Sequence, residues 1–198
     1  MQGPIIKCFC PPPINRREIY RYLGCGEQTD ELERLIDEAI SICERYARYD
    51  VVYSEYPISF LSDGQTDLGF ASVYSCDLIN NLCGCESIVL FAATVGLEID
   101  RAIVKYGKLS PSLAVCIQAV AAERIEALCH AFCDSLVDMG YELKPRFSPG
   151  YGDLSLSVQQ QIFSALNCPK NIGLTLNESL LMSPTKSVTA IVGVRSKR

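Results

Sequence analysis

From Ser112 the stretch "SLAVCIQAVAAERIEALCHAFCDSLVDMG" runs without an internal glycine or proline and ends on Gly140. The spacing predicts one long helix, starting at Ser110 or Ser112 and ending at Met139, with Gly140 placed to close it. Alanine and cysteine recur along it, and such small side chains allow close packing against a sheet. A rod of this kind needs a broad apolar surface to lie on, so the rest of the chain must supply one.

That surface is legible on either side of the helix. "VVYSEYPISF" is rich in β-branched and aromatic residues and is followed by "SDG", the kind of turn that separates strands. "ESIVLFAATVG" reads as a buried strand entering a loop, "YELKPRFSPGYG" as a strand running into a loop, and "IGLTLNES" and "SVTAIVGVRS" as two further strands. Helices are predicted over "RREIYRYLG", capped by Asn15, over "TDELERLIDEAISICERYARY", from about Ser75 to Leu82, and over "LSVQQQIFSALN". In the second of these, Asp30 with Glu33 three residues later resembles a capping box, and Leu32, Leu35, Ile36, Ala39, Ile40 and Cys43 share one face. Helices and strands mixed without strict βαβ alternation point to an α+β fold with a largely antiparallel sheet. Pro11, Pro12 and Pro13 separate an N-terminal arm, residues 1–14, from a single domain over residues 15–198.

The charge balance narrows the function. Lys and Arg total 18 against 23 Asp and Glu, the net charge is −5, and the longest basic run is the short "RSKR" at the C-terminus. No nucleic acid is expected as a partner, because neutralising phosphates needs a clustered positive face. The start lacks the apolar core of a signal peptide and no segment approaches a membrane span, so a soluble, cytoplasmic chain away from any membrane is expected. The eleven cysteines are odd in number and scattered through apolar stretches, which suits reduced, buried small hydrophobes.

Among candidate chemistries, Cys8-Phe9-Cys10 and Cys83-Gly84-Cys85 have CxC spacing, whereas zinc and iron-sulfur sites usually show CxxC pairs or Cys/His sets. His130 is the one histidine; on a helix it is turned about 100° from Cys129, so Cys129, His130 and Cys133 do not converge as ligands. No metal is expected. There is no GxSxG elbow, GxGxxG or P-loop, and "GCGEQTD" offers only two glycines before a helix. "RFSPGYGD", residues 146–153, is different: Pro149 fixes one φ, and Gly150 and Gly152 free two others. Arg146 can offer forked donors to a carboxylate, and Tyr151 a flat ring for stacking or for a cation. Carboxylate, flat heterocycle and positive sulfonium are the features of S-adenosylmethionine, and from spacing alone a structural turn is an equal reading.

With "LTLNESLLMSPTKSVTAIVG", residues 174–193, "RFSPGYGD" resembles the activation (reactivation) domain of cobalamin-dependent methionine synthase in its stand-alone form. The family's R-x-A/S-P-G-Y is matched by Arg146, Ser148, Pro149, Gly150 and Tyr151. Its T-E-S-x-x-M-x-P-x-x-S-V-S-G is matched by Glu178, Ser179, Met182, Pro184, Ser187 and Val188, with Asn177, Thr189 and Ala190 as departures. "FAATVGLEIDRAI" is similar to a further segment of the family, so the resemblance spans residues 15 to 195. It implies a helmet-like α+β domain, a bent antiparallel sheet with helices packed on one side, binding S-adenosylmethionine on its inner face. Carried over, Arg146 holds the methionine carboxylate, the backbone at Ser148 and Gly150 meets the adenosine, and Tyr151 lies near the sulfonium. Pro149, Glu178, Ser187, Val192 and Gly193 complete the implied cofactor-binding set, and no catalytic residue is implied. Where the family has aromatic residues in its last strand, this chain has Ile191 and Val192, and "GDLSLS" follows the tyrosine.

The resemblance also implies partners. Cobalamin is carried by a methionine synthase lacking its activation domain, or by another corrinoid protein, because this chain has no D-x-H-x-x-G corrinoid motif. A flavodoxin-like donor supplies the electron. Two alternatives belong to other classes: a non-enzymatic module that docks on a corrinoid protein but has lost the ligand, and a cysteine-based redox or metal protein.

Overall fold

The structure is a computed structural model that describes residues 3–24, 29–62 and 64–197. The second glycine of "GCGEQTD" and the aspartate of "SDG" lie outside the described residues. In chain order, β1 (Ile5–Cys8), α1 (Arg16–Leu23), α2 (Asp30–Tyr46) and β2 (Asp50–Pro57) come first. A small sheet of β3 (Ser59–Phe60), β4 (Thr66–Asp67) and β5 (Ser72–Val73) leads to α3 (Cys76–Leu82) and β6 (Ser87–Thr94). Then follow α4 (Leu97–Leu109), α5 (Pro111–Asp138), β7 (Tyr141–Leu143), α6 (Val158–Leu166) and α7 (Cys168–Ile172). The hairpin of β8 (Thr175–Leu176) and β9 (Met182–Ser183) precedes β10 (Ser187–Lys197).

The main sheet runs β1-β2-β6-β10-β7 and every pair in it is antiparallel. It curls into half a barrel. The predicted arm supplies β1, its edge strand. Central β6 explains its own sequence: Val89, Phe91 and Ala93 point into a core shared with α2 and α5, while Ile88, Leu90 and Ala92 point into a second core under α3, α6 and α7. A strand covered on both faces needs apolar residues at every position rather than at alternate ones. The expectation of helices on one side is corrected here. The four longer or N-terminal helices do share one face, but the short α3, α6 and α7 cover the other, burying Leu78, Leu82, Ile162, Phe163 and Leu166.

The long helix is present as α5, with Pro111 in its first turn and Gly140, at φ 91°, donating to the Val137 carbonyl to close it. Its buried stripe includes Ile117, Val120, Leu128, Phe132 and Leu136. Phe132 meets the rings of Phe91 at 4.8 Å and Tyr53 at 5.1 Å, fixing the helix across the sheet. Each fully buried aliphatic side chain here contributes roughly 1.5–3 kcal/mol. Asn15 caps α1 as its sequence suggests. The cap of α2 is Thr29, which accepts from the Leu32 N–H, rather than Asp30; Glu33 instead takes Arg16 and Tyr20. Helix α4 occupies the stretch that reads as a loop after β6.

Candidate ligand-binding site

Three anchors shape residues 146–153. Phe147 exchanges two backbone hydrogen bonds with Ile191 of β10, at 2.9 and 2.8 Å, so the segment after β7 stays stitched to the sheet edge. Ser148 to Tyr151 then forms a turn in which the Tyr151 N–H donates to the Ser148 carbonyl at 3.1 Å. Pro149 takes the position whose φ its ring already fixes, and Gly150, at φ 89°, takes the one that demands a positive φ. At the far end Asp153 accepts from the Ser75 hydroxyl, from Cys76 N–H at 2.7 Å and from Asp77 N–H at 3.2 Å. Those donors, the Ser75 hydroxyl first, hold the Asp153 carboxyl below its ordinary pKa. Gly152 passes so close to α3 that a Cβ there meets the Asp77 carboxylate at 2.2 Å.

The loop thereby walls a cavity of about 700 Å³, within the range of small-molecule sites. Arg146, Ser148, Pro149 and Tyr151 line it together with Glu126 and His130 of α5, Gln159 of α6 and Ser187 of β10. Arg146 donates to the Glu126 carboxylate at 2.9 Å across the cavity wall, with 23% of its side chain and 39% of that of Glu126 exposed. Such half-open pairs contribute only about 0–1 kcal/mol, so a ligand with its own carboxylate and ammonium can replace each partner with little loss. Behind Arg146, burial pushes the Cys129 thiol up to about 12 and raises that of Cys133 as well. Both stay neutral at physiological pH, which leaves Glu126 as the carboxylate that Arg146 meets. A second cavity of similar size shares Glu126, His130, Arg146 and Tyr151 and extends toward Asn15 and Tyr22, so the ion pair stands at the junction of the two.

Other predicted site residues lie elsewhere. Gly150 is not part of the lining: its N–H is spent on the Leu154 carbonyl at 2.9 Å, so it serves the turn. Glu178 sits exposed between β8 and β9. Val192 is fully buried in the core beneath α5, because odd and even positions of a strand face opposite sides and this one faces inward. Gly193 is the close-approach point of α3, where a Cβ meets Cys85 Sγ at 2.7 Å and Leu82 Cδ2 at 2.9 Å. Ser187 lines the cavity, but its hydroxyl lies 2.8 Å from both Thr94 Oγ1 and the Pro184 carbonyl, so it chiefly fixes the start of β10. Ile191 and Val192, where the family has aromatic residues, are both core positions.

Glu126 and Gln159 escape the reading by sequence. The trace of Glu126 is its i, i+4 spacing from His130 on α5. Gln159 stands first in "QQQ"; it alone of the three is buried, 6% exposed, and its Oε1 has no hydrogen-bond partner. Among the described residues no cluster of His, Cys, Asp or Glu is arranged to hold a metal, and no helix is long and apolar enough to cross a membrane.

Fold and site together define a small α+β domain with an open cavity at its sheet edge, set by an Arg-Glu pair and a Pro-Gly turn. Among solved structures, the chain matches the crystal structure of the MetH reactivation domain bound to AdoHcy. The TM-score is 0.73 at 15% identity, over 99% of this chain and 79% of that one. The chain therefore has the reactivation-domain fold that its two motifs imply. No protein-family model and no curated protein matches its sequence.

Proposed function

We propose that this chain is a stand-alone S-adenosylmethionine-binding reactivation module that serves a separate corrinoid protein, such as a methionine synthase without its own activation domain. The observation that carries the proposal is the Arg146-Glu126 pair beside the Ser148–Tyr151 turn, facing one cavity. Arg146 takes the methionine carboxylate and Glu126 its ammonium, while exposed Tyr151 offers its ring to the sulfonium. On this reading S-adenosylmethionine would give up its methyl group and leave as S-adenosylhomocysteine, and one electron from a flavodoxin-like donor would complete the return of the partner's cob(II)alamin to methylcobalamin. The open side of the cavity suits transfer to a docked partner, since the chain holds the donor and the partner holds the acceptor.

Titration calorimetry with S-adenosylmethionine and S-adenosylhomocysteine tests this reading. Micromolar-range binding that is lost or weakened in Arg146→Ala is the expected result. Absence of heat with either compound, in protein shown to be folded by circular dichroism, overturns it.

A further inference from the structure

Helix α4 departs from the pattern of a solvent-facing helix. Its inward stripe is conventional, with Ile99 and Ala102 buried beside half-buried Ile103 and Tyr106. Its outward crest is not, since Leu97 is 43%, Val104 64% and Leu109 68% exposed. At the middle of that crest Arg101, Val104, Lys105 and Lys108 enclose a shallow apolar hollow, with Asp100 at its edge. Spaced i, i+3, i+4 and i+7, these four make the kind of hole that a knob from a facing helix fills. Beside it, in the last turn, stands Gly107, where a Cβ meets nothing within 4 Å. Glycine inside a helix costs about 1 kcal/mol relative to alanine, and no described residue of this chain crowds the position. A bare backbone next to a hole suits the close approach of a second helix.

We propose that α4 is the twofold contact of a homodimer, packed antiparallel against α4 of a second copy with Val104 at the axis. The charge pattern selects this occupant. The first half of the helix carries Glu98, Asp100 and Arg101 and the second half Lys105 and Lys108, so one half is net acidic and the other basic. Antiparallel pairing sets each half against its opposite and opposes the helix dipoles favourably, whereas parallel pairing sets like against like. With Val104 of each copy in the hole of the other, Lys108 falls opposite Asp100 of the partner copy, Arg101 opposite its bare Gly107, and Leu97 beside its Leu109. Glu98 and Arg101 already pair within one chain, which leaves Asp100 as the acid for Lys108. Asp100 takes the Thr185 N–H at 2.8 Å and the Thr185 hydroxyl at 2.6 Å, and its carboxylate has lone pairs left for an ammonium. Lys105 lies over the Tyr106 ring, 5.3 Å from its centroid, which draws its charge away from the axis. A patch that complements itself in this way closes on a second copy. The inference is independent of the ligand reading above.

Analytical ultracentrifugation of the whole chain over a range of concentrations tests the assignment. The wild type is expected to shift reversibly from the mass of one chain toward that of two, and to associate more weakly at high salt, where Lys108 and Asp100 are screened. Val104→Arg sets a cation against its own copy at the axis and is expected to weaken the dimer at least about 10-fold, with an unchanged circular dichroism spectrum because Val104 is exposed. Lys108→Glu places like charges face to face and is expected to weaken it by less. Leu181→Arg, at an equally exposed apolar residue between β8 and β9, leaves the dimer as it is. A wild type that stays monomeric at every concentration, as it does if this crest serves an acidic helix of another protein, overturns the proposal. A dimer that survives in folded Val104→Arg, or is lost equally in Leu181→Arg, puts the contact elsewhere and overturns it as well.

Discussion

Two arginine-glutamate pairs flank the same stretch of α5, and they are built in opposite ways. Arg124 and Glu123 are 1% and 3% exposed. Arg124 donates to both Glu123 oxygens, to the Pro12 carbonyl at 2.6 Å and to the Pro13 carbonyl at 2.9 Å, and Glu123 also accepts from the Asn15 N–H at 3.0 Å. Every nitrogen of that guanidinium is used, and the result ties the proline segment to the long helix. Arg146 and Glu126, by contrast, make one contact at 2.9 Å in the wall of a cavity. A closed, saturated pair fixes the fold, whereas an open, partly used pair is available to a ligand.

The largest effect that can break this contrast is on stability. Arg124→Ala leaves Glu123 as a buried carboxylate without its partner, and urea unfolding is expected to show a loss of about 3–5 kcal/mol. Arg146→Ala removes a half-exposed pair and is expected to cost about 0–1 kcal/mol. Equal losses in the two variants mean that the pairs do not differ in kind.

Ligand binding reverses the order. Arg146→Ala is expected to weaken S-adenosylmethionine about 10- to 100-fold, the loss of a charge-assisted contact. Glu126→Gln keeps an acceptor for the ammonium and is expected to cost less. Arg124→Ala, measured where it remains folded, leaves the affinity unchanged. Calorimetry on the three variants under one buffer separates the roles, and a large binding loss in Arg124→Ala sinks the division.

The same contrast explains what the sequence discloses. Local signals are strong: Asn15 as a cap, the glycine-free run of α5, the all-apolar run of β6, and the Pro149-Gly150 turn each follow from neighbours in the chain. Helix α4 is hidden because it follows a strand directly, behind Gly96 at φ 88°, and carries Gly107 in its last turn. Glu126 meets Arg146 from 20 residues away, and Gln159 reaches the cavity from a third element; only the fold brings these together. Val192 and Gly193 show the converse. A motif carries residues over by order, while a strand assigns them to alternating faces, and these two fall on core and packing positions. Glu178 likewise matches in order and lies on a hairpin turn.

The loop's third anchor, Asp153, gives a smaller, pH-dependent effect. The Asp153 carboxyl is held below its ordinary value in the folded chain, chiefly by the Ser75 hydroxyl and then by the Cys76 and Asp77 N–H groups. A depressed folded pKa contributes stability above the unfolded value, near pH 4, and that contribution disappears as pH falls through the folded one. Asp153→Asn is therefore expected to unfold at lower urea than wild type at pH 7, with the difference shrinking below about pH 4. A difference that persists undiminished in acid shows that the carboxylate charge is not what ties the loop to α3.

The smallest effect reports on the two thiols behind Arg146. Cys129 is fully buried with its pKa pushed up to about 12, while Cys133, half-buried and also raised by burial, lines the cavity. Alkylation requires both thiolate and access, so at pH 8 iodoacetamide is expected to label exposed Cys76 and Cys83 first, Cys133 slowly and Cys129 scarcely at all. Saturating S-adenosylmethionine should slow Cys133 further without changing Cys76, because only Cys133 shares the wall with Arg146. Mass spectrometry of the labelled peptides reads each site separately. Protection at Cys133 alone places the ligand on the open pair, whereas protection spread equally over all four thiols reports global tightening and removes the support for that placement.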